Sequence, residues 1–262
     1  SREANLAVLK VPDERLERLA EIYKPKKVTY AEFQFVDIAP GDVDSQEKAI
    51  SDTALRLLRN VDALVHVVRA FANENVTHPR GTVDPVRDAK DLEEELQLQD
   101  LIVIEKRLER LDKEGRRDLH YQLLQRCKDQ LESGKPLRDM TFSPQEQKDL
   151  AGFGFLSQKP LMLLGNYGEE SIGTENPSRL NTFAQERNLL LIELCGAMEL
   201  EIAGLSPEER AAFREELGLG EESRQRFLQT AYRMLGLISF LTAGEPDVHA
   251  WTIREGTRAV EA

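Results

Sequence analysis

The chain has 262 residues, 40% hydrophobic and 31% charged, with a formal net charge of −12. This is an ordinary globular composition, enough for one large or two modest domains, and the negative balance disfavours nonspecific attachment to nucleic acid or anionic membrane. No apolar run approaches the ~20 residues that span a bilayer, and no signal-peptide pattern opens the chain. The two cysteines, Cys127 and Cys195, lie far apart in apolar stretches and suit reduced core thiols of a cytosol. The four histidines are scattered without ligand spacing, so no metal-hydrolase, Ser/His/Asp or Cys/His site is indicated.

In chain order, Leu6 to Val11 reads as an aliphatic strand stopped by Pro12, and Asp13 caps a helix carrying Leu16, Leu19, Ala20 and Tyr23. Val28 to Ile38 is the next strand, followed by a helix from Asp44 to Asn60. Ala63 to Val68 is continuously apolar, the pattern of a strand buried on both faces of a parallel sheet, with His66 as a satisfied core histidine. After a loop from Phe71 to Asp84, a charged helical stretch runs to about Asp112, and a second helix carries Leu119, Leu123, Leu124, Cys127 and Leu131. Their narrow apolar seams and the short turn at Gly115 predict an antiparallel coiled-coil hairpin. Lys106, Arg107, Arg110, Lys113, Arg116 and Arg117 crowd its tip, which is either a solvated end or a docking site for RNA or an acidic partner.

Ser143-Pro-Gln-Glu is a capping box that opens another helix. Pro160 to Gly165 is again a buried strand, ending in Asn166-Tyr167-Gly168-Glu169. A helix from Pro177 to Arg187, a strand from Leu189 to Leu194 ending at Cys195-Gly196-Ala197, and helices from Ser206 and from Glu222 to Leu235 follow. Leu237 to Leu241 and Val248 to Ile253 close the chain as a hairpin. The alternation of strand and helix predicts an α/β fold, a mostly parallel sheet with helices on both faces.

Three strand ends attract attention. Asp37, Asn166 and the Cys195-Gly196-Ala197 run each follow a predicted strand, and in a parallel sheet such ends share one rim where ligands bind. An acid in Asp37's position holds magnesium in P-loop NTPases, directly or through water, and Gly41 offers an N–H to a terminal phosphate. The Asn166 amide suits a purine edge, Glu169 a ring N–H or amino group, and the small residues at 195–197 leave backbone N–H groups beside the base. The residues alone leave open a sheet rim with ordinary turns.

The order of these pieces closely resembles the Obg-like ATPases, the YchF family of translation-factor-related P-loop GTPases. The resemblance covers about Leu6 to Thr257. It is carried by Val11-Pro-Asp-Glu-Arg-Leu, Phe35-Val-Asp-Ile-Ala, His66-Val-Val-Arg-Ala-Phe, Asn75-Val-Thr-His, Asn166-Tyr-Gly-Glu, Cys195-Gly-Ala-Met-Glu, Phe240-Leu-Thr-Ala-Gly and Ala250-Trp-Thr-Ile-Arg-Glu-Gly. It implies a GTPase-like domain in two parts (1–83 and 158–235), a helical coiled-coil insertion (84–157) and the start of a β-grasp (TGS) domain (236–262). It further implies Mg2+, ATP or GTP as substrate, and a ribosome or RNA partner reached through the insertion tip and the TGS part. Relatives of this fold carry Asn-Lys-x-Asp at the base-reading turn; Glu169 spoils the two-point grip on guanine and leans towards ATP. Tyr167, where the lysine stem would cover the base, is expected to stack on a purine, and His78 matches a mobile-loop histidine used in place of a water-positioning glutamine.

Two departures stand out. The 262 residues contain no Gly-x-x-x-x-Gly-Lys-Ser/Thr phosphate loop, and both ends of the sequence look cut, so a fragment without phosphate binding and with a gap in its sheet is expected. The family's Asp-x-Ala-Gly becomes Asp37-Ile-Ala-Pro40-Gly41, and proline has no N–H to offer a phosphate. These changes motivate an alternative, a non-catalytic ribosome- or RNA-interaction module.

Overall fold

The computed structural model describes residues 5–38, 50–171, 179–216 and 223–260. By contacts the chain divides into two units, 1–39 with 168–175 and 192–262, and 40–167 with 176–191.

In the first unit, β1 (Asn5–Lys10) pairs antiparallel with β3 (Glu32–Asp37). Between them lies α1 (Glu14–Tyr23), whose first turn is capped by the Asp13 carboxylate accepting from the Arg15 N–H. The expected single strand from Val28 to Ile38 is two strands: β2 (Val28–Thr29) pairs parallel with β8 (Val248–Arg254), and β3 turns to β1. The chain changes partner at Tyr30–Ala31, where the Ala31 carbonyl accepts from Val11 N–H at 2.8 Å. The closing hairpin, β7 (Leu237–Ala243) with β8, therefore shares a sheet with β2 in the order β2-β8-β7. Val11, Leu16, Ala31, Tyr232, Val248 and Ala250 form the core beneath it. The helices α7 (Gly196–Ala203), α8 (Pro207–Glu216) and α9 (Ser223–Met234) complete the unit. Phe33 and Phe35 share one face of β3 and pack on α9, Phe33 edge-on to Tyr232 at 5.4 Å and Phe35 against Phe227 at 5.4 Å.

In the second unit, β4 (Leu64–Ala70) and β5 (Leu161–Tyr167) pair in parallel; β6 (Leu190–Leu194) starts in this unit, and its residues from Ile192 on belong to the first. The α2 helix (Asp52–Asn60) starts eight residues later than Asp44, capped by Ser51; residues 39–49 lie outside the described residues. The β4 strand is not buried on both faces. Val68 packs with Leu163, with Ala89 on α3 (Pro85–Lys113) and with Leu180, Phe183 and Ala184 on α6 (Arg179–Glu186), while Val67, facing the other way, is 60% exposed.

α3 is a single rod of 29 residues, roughly 43 Å long at 1.5 Å per residue. Its first half lies on the sheet. Its second half packs on α4 (Leu119–Glu132), α5 (Pro144–Ala151) and Phe155, around Ile104, Leu108, Leu111, Leu124, Cys127, Leu137 and Leu150. The seam is broader than a two-helix coil needs, because α5 and the 153–156 stretch close it. The Ser143–Glu146 capping box is present in both directions. Two buried acids punctuate α3. Glu93, 2% exposed, is ion-paired with Arg138 and has Arg187 at 3.5 Å; burial pushes Arg138 down to about 10. Asp100, fully buried, accepts from the N–H groups of Leu156 (2.8 Å) and Ser157 (2.7 Å) and from the Ser157 hydroxyl (2.7 Å). That carboxylate ties the insertion to the segment that feeds β5.

Candidate nucleotide site

Within the first unit, Asp37 is the last residue of β3, opposite Asn5, and is exposed. The aromatic packing of Phe33 and Phe35 fixes the strand that presents it. Pro40, which has no N–H, and Gly41, whose N–H is the one expected to bear on a terminal phosphate, lie outside the described residues. Glu169 opens a short 3₁₀ turn, Glu169–Ser171, closed by Ser171 N–H to the Gly168 carbonyl at 3.1 Å. Both Glu169 and its neighbour Glu170 are exposed. The Glu170 carboxylate lies against Gly168: a Cβ there would stand 2.2 Å from its Oε2.

Cys195, Gly196 and Ala197 are not a loop. Cys195 is the N-cap of α7 and Gly196 its first residue, and the Cys195 carbonyl accepts from Glu199 N–H at 3.0 Å. The sequence hides this helix because its cap is a cysteine with no side-chain hydrogen bond and it lasts only 8 residues. A helix start presents N–H groups and the positive end of the helix dipole.

Within the second unit, Asn166 and Tyr167 are the last residues of β5, opposite Arg69 and Ala70 of β4. Tyr167 folds back over Gly165, where a Cβ would meet its Cε2 at 2.6 Å and Leu180 Cδ2 at 3.2 Å. Only glycine leaves that seat open for the ring. Arg69, which the sequence does not single out, organises the loop that follows β4: its guanidinium donates to the carbonyls of Phe71 (3.1 Å), Val76 (2.9 Å) and Asn73 (3.3 Å).

His78 is engaged at both ring nitrogens. Its side chain is 10% exposed, its Nε2 lies 2.9 Å from Asp88 Oδ2, and its Nδ1 accepts from Arg80 N–H at 3.1 Å. His66 departs from expectation. Its Nδ1 is buried without a hydrogen-bond partner, and burial pushes its pKa down to about 4, the Asp88 charge pulling slightly the other way.

The tip of the insertion is less basic than its six cations suggest. Glu105, Glu109, Asp112, Glu114 and Asp118 are interleaved with them. Arg110 pairs with Glu114, Arg116 with Asp118 and Glu114, and Arg117 with Asp112. Lys106, Arg107 and Lys113 have no ion pair among the described residues. No group of three or more His, Cys, Asp or Glu side chains suited to a metal occurs among the described residues, and no described helix is long and apolar enough to cross a membrane.

No family model matches the chain. Whole-chain comparison does. The ribosome-binding ATPase YchF of Bacillus subtilis (strain 168) is 36% identical over 268 residues, spanning 98% of this chain and 73% of the relative. The chain belongs to the YchF family. The protein of the same name from Escherichia coli O157:H7 is 36% identical over 269 residues, covering 99% and 74%. Among solved structures, the YchF GTPase of Schizosaccharomyces pombe matches with a TM-score of 0.85 at 29% identity, over 99% of this chain and 73% of that one. The α/β architecture with its parallel sheet is thus the YchF architecture.

Proposed function

We propose that the full-length protein binds and hydrolyses ATP, with GTP as the weaker substrate, and acts as a Mg-dependent switch on the ribosome; these 262 residues carry no phosphate loop of their own. The observation that carries this is the 36% identity, over nearly the whole chain, to proteins named ribosome-binding ATPases. The roles follow from chemistry. The Asn166 amide suits a purine edge, and Glu169, longer than the aspartate of Asn-Lys-x-Asp, gives up the two-point grip on guanine's paired N–H donors and leans towards adenine's amino group. Tyr167 bears on the base with its ring. Cys195, Gly196 and Ala197 contribute the start of α7, whose N–H groups and dipole suit electron-rich atoms of the ligand. Gly41, rather than Pro40, donates to the terminal phosphate, because proline has no N–H.

Magnesium in such sites is held by one or two protein carboxylates and takes its remaining ligands from phosphates and water. The lone Asp37 carboxylate at the end of β3 fits that donor set, and a cage of several acids is not required. The bound ion would supply charge neutralisation of the phosphates. His78 takes the part of the water-positioning group. The insertion at 84–157, through Lys106, Arg107 and Lys113 with Arg110, Arg116 and Arg117, and the 236–262 hairpin as the start of a TGS-like domain supply the ribosome contact. The test is hydrolysis by the full-length protein: Asp37→Ala should abolish turnover with folding intact, and unchanged turnover would refute the assignment.

Pro40 favours a second reading, a non-catalytic ribosome-interaction module. Binding of ribosomes without any ATP or GTP turnover would favour it over the first.

A further inference from the structure

The imidazole of His78 is placed by two opposite contacts. The turn His78-Pro79-Arg80-Gly81 closes with Gly81 N–H donating to the His78 carbonyl at 2.8 Å, and Gly81 adopts φ +76°, a left-handed conformation natural to glycine. Inside that turn the Arg80 N–H donates to His78 Nδ1 at 3.1 Å. A ring nitrogen that accepts from an N–H carries no proton, so the proton of the neutral ring sits on Nε2, 2.9 Å from Asp88 Oδ2.

Asp88 is itself held from behind. Its Oδ1 accepts from Arg87 Nε at 3.0 Å and Nη2 at 2.8 Å, and the same guanidinium donates to the Thr82 carbonyl (2.7 Å) and hydroxyl (3.1 Å). Asp88 stands in the first turn of α3, where the helix dipole favours an anion, and the adjoining Ala89 is buried against the sheet. The other charged groups nearby are occupied or silent. Arg80 is drawn to Asp91 at 2.6 Å, and His66 on β4, its pKa depressed by burial, is neutral near pH 7. The result is a rigid carboxylate aimed at one nitrogen of one histidine.

We propose that Asp88 is the positioning residue of His78, holding its ring as the Nε2–H tautomer so that Nδ1 is the acceptor offered to the attacking water. In the conformation described here that acceptor is occupied by Arg80 N–H, so opening of the 78–81 turn at Gly81 is what releases it. Water then donates one hydrogen bond to Nδ1 while Asp88 keeps the opposite edge fixed. This rests on the hydrolytic role proposed above for His78.

The test combines histidine 15N NMR with steady-state ATP hydrolysis of the full-length protein, for wild type, His78→Ala, Asp88→Asn, Asp88→Glu and the His78→Ala/Asp88→Asn double variant. Wild-type His78 should read as Nε2–H. Asp88→Asn, whose amide can donate as well as accept, should lose that preference and lower kcat about tenfold or more with KM for ATP unchanged. Asp88→Glu should restore part of the rate, and Asp88→Asn should cost nothing further in the His78→Ala background. Wild-type kcat in Asp88→Asn beside an impaired His78→Ala would overturn the proposal. So would an Asp88→Asn loss undiminished in the double variant, or an Nδ1–H wild-type ring. Failure of the underlying role is seen separately, as wild-type hydrolysis by His78→Ala.

Discussion

Acidification should destabilise this protein through His66, and removing that residue should abolish the effect. His66 stands in the middle of β4, opposite Leu163, with a buried and unpartnered Nδ1. Burial lowers its pKa from 6.5 to about 4. The unfolded chain therefore binds the proton more tightly than the folded one. The stability tied to the neutral ring is complete above pH 6.5 and is lost as pH falls towards 4. Between about pH 7.5 and about pH 5 the linked loss is about 2 kcal/mol. In His66→Leu no such titration exists, and with no orphaned nitrogen the variant should match or exceed wild type at neutral pH. Urea unfolding of both proteins at matched pH values isolates the effect, because every other carboxylate and histidine is common to them. A gap between the two that stays constant across that range would refute the burial of a neutral His66.

Asp100→Ala leaves two buried backbone N–H groups and the Ser157 hydroxyl without their acceptor. At about 1–3 kcal/mol per orphaned group, urea unfolding should show a loss of roughly 3 kcal/mol or more; a loss under about 1 would contradict the tie between α3 and the segment before β5. Gly165→Ala drives a methyl to within 2.6 Å of Tyr167 Cε2 and should cost about 1–3 kcal/mol by overpacking. If Tyr167 meets the base, Gly165→Ala and Tyr167→Ala both weaken ATP binding in a fluorescent-nucleotide titration; unchanged affinity in both removes Tyr167 from the site. Reversing Lys106, Arg107 and Lys113 to Glu should weaken ribosome co-sedimentation and flatten its salt dependence. An unaltered salt slope would move the contact away from the tip.

The strong periodic signals were legible in the sequence: the two helices of the insertion and the capping box at Ser143 lie where the spacing puts them, and the strands read at 63–68 and 160–165 are present but run two residues further, to Ala70 and Tyr167. What escaped is tertiary. The break at Tyr30–Ala31 is set by a strand more than two hundred residues away, which no local window contains. The α7 helix has a cysteine where a capping side chain would announce it. The exposed face of β4 is not written in a run of valines, since burial depends on what covers the strand. At the candidate site, residue types were legible but their engagement was not. The ion pair that holds His78, the Arg69 clamp on the loop before it and the acids that neutralise the insertion tip become visible only when side chains distant in sequence are placed.

A purine site read by Glu169 and completed by Asp37 is best tested by titrating the full-length protein and its Glu169→Ala variant with ATP and with GTP in the presence of Mg2+. Wild type should bind ATP more tightly than GTP, and Glu169→Ala should erase that preference. Equal affinities in wild type, or a preference that survives in Glu169→Ala, would contradict it.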